Sequence, residues 1–418
     1  MTALELERPR WRVTVHRRDF GVTASAAATG LGELTEASSR RLEQQLNAAA
    51  LFTCSIPGDS AGALAVQELT TELMAWRWDD TAGDWALMFR GIVAQSQDTI
   101  SENGVHTVNL TAHDYLAMLS RRYVTAPSGV TYTQQDQDTI AADLLARALR
   151  GTTSSGQNMT PGAQLQLAVQ RVNPDGTPRT PLSGTLRDRT YEGSKSIGDA
   201  LAELAAVVGG FDLDVLPAAD SAGTDYLRIF YSPAGPPYQG RNRPDLALVY
   251  GGSVGSVSRS VNSTAYANYQ RVLGAGDTTA GAPQTYAEKW NTDANDVTRA
   301  PVGLWQATEN ASDVSQQPTL DQKAAGDLAS SGALVPAYTL GITPDWWTPG
   351  APAMGDTVPL VIRKGRLDVS TTVRILGVNY AIGDDGQEDI EVTVGRPAVD
   401  LTAMFREVRR DVDALARR

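Results

Sequence analysis

One strand-and-turn phrase occurs twice in this chain, far apart, and such a duplication commits a sequence to folding the same small unit twice. The first copy runs from Trp85 to Ser96 through Gly91, turns at Ser101 to Gly104, and returns from Val105 to Thr111. The second runs from Thr372 to Ile382 through Gly377, turns at Gly383 to Gly386, and returns from Asp389 to Gly395. Each reads as a strand interrupted by a glycine, its continuation, an Asn-Gly or Asp-Gly turn, and an alternating return strand. Upstream of each lies a further strand, Glu72 to Trp78 before a turn at Asp79 to Gly83, and Thr357 to Ile362 before Arg363 to Arg366. Two related small β-domains are the first inference.

At 418 residues the chain exceeds what one hydrophobic core usually serves, so about two to four domains are expected. Acidic residues outnumber basic ones, 48 against 36, for a net charge of −12. That balance argues against holding nucleic acid by phosphate neutralisation, which needs clustered Lys and Arg, but suits letting it pass without sticking. Cys54 is the single cysteine, which excludes an intramolecular disulfide and a cysteine-built zinc site. It sits in an alternating strand, Leu51 to Ile56, and reads as a small buried hydrophobe. The N-terminus lacks the pattern of a signal peptide, and no run of about 18 apolar residues is present to span a membrane. A soluble product made in a reducing cytoplasm is expected.

Along the chain, residues 1–124 form a first β-rich unit opening with a strand at Trp11 to Val15. Within it, Ser38 to Ala49 has helix character, with Leu42 and Leu46 at i, i+4. Residues 125–245 read as an α+β insertion. Helices are expected over Asp138 to Leu149 and over Ser196 to Val208, with Ser196 as N-cap. The second helix leads into a hairpin of Phe211 to Val215 and Tyr226 to Tyr231, while Gly151 to Pro161 and Asn173 to Arg189 read as loops. The second β-rich unit occupies 246–400 and contains a helix at Thr319 to Ser330. Residues 401–418 form a terminal helix, whose Leu401, Phe405, Val408, Val412 and Leu415 make an apolar seam of two heptads. That seam fits either an assembly contact or packing on the helix's own chain.

Catalytic constellations are sparse. His16, His106 and His113 are the only histidines, and no nucleophile elbow, metalloprotease helix or phosphate-binding loop occurs. The acidic pairs Asp79-Asp80 and Asp384-Asp385 lie in expected hairpin turns, where aspartate is favoured for geometry rather than for glycoside hydrolysis. Trp346 and Trp347, between Pro344 and Pro349, could stack on sugar rings or fill a subunit contact. For exposed tryptophans the contact is the better expectation. No catalytic residue, cofactor or metal is assigned.

These residues resemble the tail hub proteins of bacteriophages, also called baseplate hub or tail-tip proteins. The features that carry the resemblance are the strand entry Leu46 to Pro57, the two-strand phrase Glu72 to Gly91, the hairpin ending Thr111 to Tyr115, and the block Gly355 to Gly395. The resemblance implies a mainly β fold in which two related tube-like β-barrel domains are joined by an inserted domain and followed by a C-terminal helix. It also implies a homotrimer at the virion tail tip, made in the host cytoplasm, whose six such domains close the sixfold tail tube. Implied partners are the distal tail protein or tail tube, the tape measure protein, and tail fibres or receptor-binding proteins, with DNA passing during ejection. A non-enzymatic structural role follows. The alternatives are a tail-associated cell-wall hydrolase, which relatives carry after the hub region but for which little chain follows Pro397, and a carbohydrate-binding receptor module using Trp346 or Trp347.

Overall fold

A computed structural model describes residues 10–17, 29–124, 128–150, 167–172, 183–205, 210–217, 225–231, 243–261, 263–276, 284–291, 303–312, 314–332, 334, 336–349 and 353–395. The first part contains β1 (Trp11–Arg17), β2 (Thr29–Glu33), β3 (Ser38–Gln45), β4 (Leu51–Pro57), α1 (Ala61–Ala65), β5 (Thr71–Asp79), β6 (Asp84–Ile100) and β7 (His106–His113). A 3-10 segment, Tyr115–Arg121, then leads to β8 (Val130–Asp136), α2 (Gln137–Arg150), β9 (Leu167–Val172), β10 (Leu186–Tyr191), α3 (Ile197–Ala205), β11 (Phe211–Leu216) and β12 (Asp225–Tyr231). The last part holds β13 (Leu248–Val249), β14 (Val254–Ser260), β15 (Tyr269–Leu273), β16 (Tyr286–Trp290), β17 (Gln306–Asn310), α4 (Gln317–Ser331) and β18 (Ala337–Ile342). It ends with β19 (Thr357–Lys364), β20 (Leu367–Ile382) and β21 (Glu388–Gly395). With 51% strand against 18% helix, the chain is mainly β with an inserted helical part.

The duplication is visible in strand order. Unit one runs β3-β4-β7-β6-β5, and unit two runs β14-β18-β21-β20 with β19 on the other side of β20. In each, one long strand serves two partners: β6 pairs with β5 up to Ile92 and with β7 from Ile92 onward, and β20 changes from β19 to β21 at Arg374. Each long strand also carries a bulge just after this change, between Val93 and Gln95 in one and between Ile375 and Gly377 in the other. A bulge bends a strand and increases its twist, so the sheet curls at the same point in both units. No pairing among the described strands closes either unit into a ring.

Aligned on their bulges, the units pair Gly377 with Gln95 and Gly91 with Val373, so the two strand glycines are not counterparts. Each answers a different steric demand. A Cβ at Gly91 would lie 2.3 Å from the His113 carbonyl oxygen and 2.4 Å from the Phe89 ring, whereas one at Gly377 would meet the Gln44 carbonyl oxygen at 3.2 Å. The turn glycines behave as expected, Gly104 at φ 77° and Gly386 at φ 83°, in the left-handed region that glycine enters at low cost.

The helix expected over Ser38 to Ala49 is absent: Ser38–Gln45 forms β3, and Leu46 to Ala49 make the turn that follows it. A spacing of four places Leu42 and Leu46 on one face of a helix, but it is also two strand periods, so tertiary partners decide. Here Leu42 lies opposite Phe52 of β4 and Tyr380 of β20 and is completely buried. Leu186 to Arg189, read as loop, forms part of β10 against β8. Helices α2 and α3 stand where expected, and the Ser196 hydroxyl accepts from the Asp199 amide at 3.0 Å, capping α3.

Buried apolar residues form three clusters. The first runs through both β units without a break, from Trp11 and Val13 to Val392 and Val394, so the units are fused rather than independent. The second is built by α2, α3 and β11, and it takes in Ile92, Tyr115, Leu116 and Leu119 from the preceding segment. The 3-10 segment therefore bridges the two parts, since its apolar side chains pack with the insertion while the Tyr115 hydroxyl donates to Glu72 of β5 at 2.6 Å. The third is small: Val272, Ala287, Ala311, Leu320 and Ala324, where α4 lies on the sheet of β15, β16 and β17.

Asp327 of α4 is a weak point of that small cluster. Burial pushes its carboxyl up to about 7, against the pull of Lys323 and with the help of Glu309. A folded value above the ordinary 3.8 means that the folded state holds the proton more tightly. Stability of this part is therefore greatest at low pH and declines as pH rises from about 4 towards 7. Hydrogen exchange of the α4 amides across that range should accelerate with pH beyond the intrinsic rate, and Asp327→Asn should remove the excess. Separately, Gly91→Ala should destabilise the chain by about 1–3 kcal/mol, as for other overpacked sites, in urea unfolding.

Candidate assembly site

The two units meet by direct strand pairing. β3 lies antiparallel to the far half of β20, with Gly377 opposite Gln45, Tyr380 opposite Leu42 and Ile382 opposite Arg40. The outward face of this joint is polar, with the Arg41 guanidinium donating to the Asn379 side-chain oxygen at 3.1 Å.

Its inward face carries a buried ion pair. Arg77 follows Leu73 and Ala75 on the core side of β5, and Glu388 precedes Ile390 and Val392 on the core side of β21. The guanidinium Nε reaches both carboxylate oxygens, at 3.0 and 3.2 Å, and a terminal nitrogen lies 2.8 Å from Oε2. Its other arm donates to the Trp347 carbonyl. The Trp347 indole N–H in turn donates to the Tyr380 hydroxyl at 2.9 Å, and the Tyr380 ring meets Trp11 edge-on at 5.4 Å. Burial pushes the Tyr380 phenol up to about 12, although the Arg77 charge pulls the other way, so it stays a neutral donor and acceptor. The network draws on β1 and β5 of unit one and on β20, β21 and the Trp347 segment of unit two. A slip of one unit against the other would leave charges buried without partners.

A second buried junction ties in the insertion. Asp212 of β11 accepts from Arg374 of β20 at 2.6 Å and from the Asn47 amide at 2.7 Å. Asn47 stands at φ 63°, which asparagine tolerates, and closes a reciprocal pair with Leu213, donating its backbone N–H to the Leu213 carbonyl and accepting the Leu213 N–H on its side chain. Arg374 marks the partner change in β20. Its counterpart in β6, Ile92, packs into the insertion's own core. The insertion thus touches both units at equivalent points, by an ion pair on one and apolar contact on the other.

The residues expected to mediate contacts divide. Trp347 is 3% exposed and belongs to the inner network, because its indole has a buried partner in Tyr380. Trp346 is 41% exposed, in the 3-10 turn Pro344–Trp346, and borders an apolar hollow lined by Leu246, Leu248 and Val358. Leu401, Phe405, Val408, Val412 and Leu415 lie outside the described residues. One member of each acidic pair does turn work, Asp79 accepting from the Thr81 and Ala82 amides and Asp385 from the Gln387 amide, whereas Asp384 accepts from the Ser39 amide of β3 across the joint between the units. Among the described residues no group of three or more His, Cys, Asp or Glu side chains could hold a metal. Arg77, Glu388, Asn47, Asp212 and Arg374 were not singled out from the sequence. The signal available was a charge in phase with core positions, as in Leu73-Ala75-Arg77 and Glu388-Ile390-Val392, and its partner lay 311 or 162 residues away.

Two fused β units with a docked insertion define a fold known from solved tail proteins. The chain is similar to the tail protein from Neisseria meningitidis MC58, with a TM-score of 0.54 at 13% identity over 94% of this chain and 98% of that one. It is likewise similar to the 43 kDa tail protein of prophage MuSo2 from Shewanella oneidensis, with a TM-score of 0.55 at 12% identity over 93% and 99%. Prophage tail protein gp18 from Listeria monocytogenes EGD-e gives 0.52 at 11% identity over 96% and 98%. No protein-family model and no curated protein matches the chain. What is shared at such identities is the fold, over nearly the whole length of each chain.

Breaking the inner ion pair separates its two roles. Arg77→Met alone should cost about 3–5 kcal/mol, because Glu388 is left charged and buried. Arg77→Met with Glu388→Leu should recover most of that loss in urea unfolding, since no unpaired charge remains.

Proposed function

We propose that this chain is a structural subunit of a phage-type tail, a hub that forms a homotrimer and closes the tail tube at its tip. The observation that carries the reading is the pair of units with one strand order, fused edge to edge within a single chain. Three copies would present six such units, which lets a threefold object face a sixfold tube. The likeness in fold to three tail proteins along nearly the full chain supports the same assignment. In this reading residues 1–124 and 246–400 are the two tube-facing domains, 125–245 is the docked insertion, and 401–418 is a terminal helix that joins the assembly.

The proposed partners are the tube or distal tail protein above, the tape measure protein within, and fibres or receptor-binding proteins outside. The role is mechanical rather than enzymatic: interfaces hold the tip closed until contact with a host, and DNA then passes. The net charge of −12 suits passage without retention, since phosphate is repelled by like charge.

Light scattering on the purified full chain, alone and mixed with its tube-side partner, tests the reading. The expected mass is that of three chains, at least in the presence of the partner. A chain that stays monomeric under both conditions and never enters a tail would defeat it.

A further inference from the structure

The internal repeat supplies a template for a contact that a single chain leaves unmade. Matching the two bulges makes Ile100 the counterpart of Ile382, Asp98 of Tyr380 and Ser96 of Val378. The neighbouring pairings then make Cys54 the counterpart of Leu340 and Ile56 that of Ile342, and all four are buried, which supports the match. One strand further out, Leu42 corresponds to Arg259 and Arg41 to Ser258, and carrying that register one residue on sets Arg40 against Val257. Inside the chain the outer edge of β3 meets the far half of β20. The counterparts of those strands are β14 and the far half of β6. Among the described strands, β14 pairs only with β18, and residues 93–100 of β6 pair only with β7. Two edges that match a pairing already made elsewhere in the molecule therefore have no further strand partner among the described residues; at the start of the β6 edge only the Leu69 amide, which donates to the Val93 carbonyl, and the Glu68 carboxylate, which accepts from the Ser96 hydroxyl, come close.

We propose that β14 of one copy pairs antiparallel with residues 96–100 of a neighbouring copy, in the register carried over from the joint between the units. Ile100 then faces Val257, Asp98 faces Arg259, and Ser96 faces Val261. This rests on the chain being oligomeric, as proposed above, and it names the surfaces through which it becomes so.

Side-chain chemistry supports the register independently of the repeat. Asp98 and Arg259 carry opposite charges and come directly opposite each other, an arrangement that stabilises a strand pair, whereas a slip by one residue sets each against serine, threonine or glutamine. Asp98 is 62% exposed and already hydrogen-bonded to His106 of β7 at 2.7 Å, which holds the carboxylate at the strand. Ile100 is 70% exposed and Val261 42%, apolar surface that pairing would cover. Neither edge carries the lysine or proline that natural proteins use to block edge-to-edge association. The two edges differ from each other, so the contact is head-to-tail. Such a contact closes into a ring or runs on as a filament, and a ring of three chains would alternate joints within and between chains around six units.

Cross-linking tests the register. Asp98→Cys and Arg259→Cys variants of the full chain are mixed and oxidised mildly. Cys54 stays out of the exchange, being buried with its thiol pushed up to about 12 by desolvation. The expected result is a disulfide-linked pair of chains from the mixture and from neither variant alone, with little linkage when Ser258→Cys replaces Arg259→Cys. In parallel, Asp98→Arg or Arg259→Asp should each weaken association roughly five- to tenfold, and the two together should restore it. A trimer by mass that fails to link at these positions, or links better at a shifted pair, overturns the register while the oligomer stands. A chain that never associates overturns both.

Discussion

Everything in this molecule hangs on the strand pair β3 and β20. It turns two curled sheets into one, and the apolar cluster beneath it runs from the first unit into the second without a gap. Strand pairing is directional, and a one-residue slip would turn every side chain of β3 to the wrong face. The Arg77 and Glu388 pair reinforces that discrimination from below, since only one register brings the guanidinium to the carboxylate and to the Trp347 carbonyl together. Stability as such could come as well from apolar residues of similar volume. What the charges add is a penalty for any other alignment of the units.

The insertion uses the same logic. Its Asp212 can be buried because two groups from two other parts of the chain converge on it, the Arg374 guanidinium and the Asn47 side-chain amide, and Asn47 is itself held by the backbone of the neighbouring Leu213. Because Arg374 and Ile92 occupy equivalent points in the two units, the insertion reads the duplicated frame at two matching places with opposite chemistry. The frame is repeated, and the decoration is not.

How much of this was legible in the sequence follows from the range of the forces involved. The hairpins were legible because their turns are local: Gly104 and Gly386 announce left-handed backbone whatever surrounds them. Helices α2 and α3 were legible because their apolar spacing and the Ser196 cap are local too. The misreadings occurred where partners decide. Leu42 and Leu46 satisfy both helix and strand periods, and Phe52 with Tyr380 settles the matter. Trp347, read together with Trp346 as an exposed contact residue, is held inside by Tyr380 and Arg77. The duplicated phrase was found, but through the wrong residues. Gly91 and Gly377 look alike in sequence, yet one yields to its own hairpin neighbour His113 and the other to Gln44 across the joint between units.

That last difference shows where the two copies have diverged and why. Gly377 sits where another strand comes up tightly against β20 within the same chain, whereas its counterpart Gln95 is exposed and meets no described strand on that side. The same contrast repeats along the two strands. Tyr380 and Ile382 are buried under the joint, and their counterparts Asp98 and Ile100 are exposed. A permanent intrachain contact can be built from large apolar side chains, because it never faces water after folding. A contact made between separately folded chains must first survive as surface. A charged residue with a single apolar neighbour keeps the edge soluble beforehand and selective about its partner when pairing occurs. With the proposed pairing between chains, the divergence between the units follows from which of two equivalent joints lies within the chain.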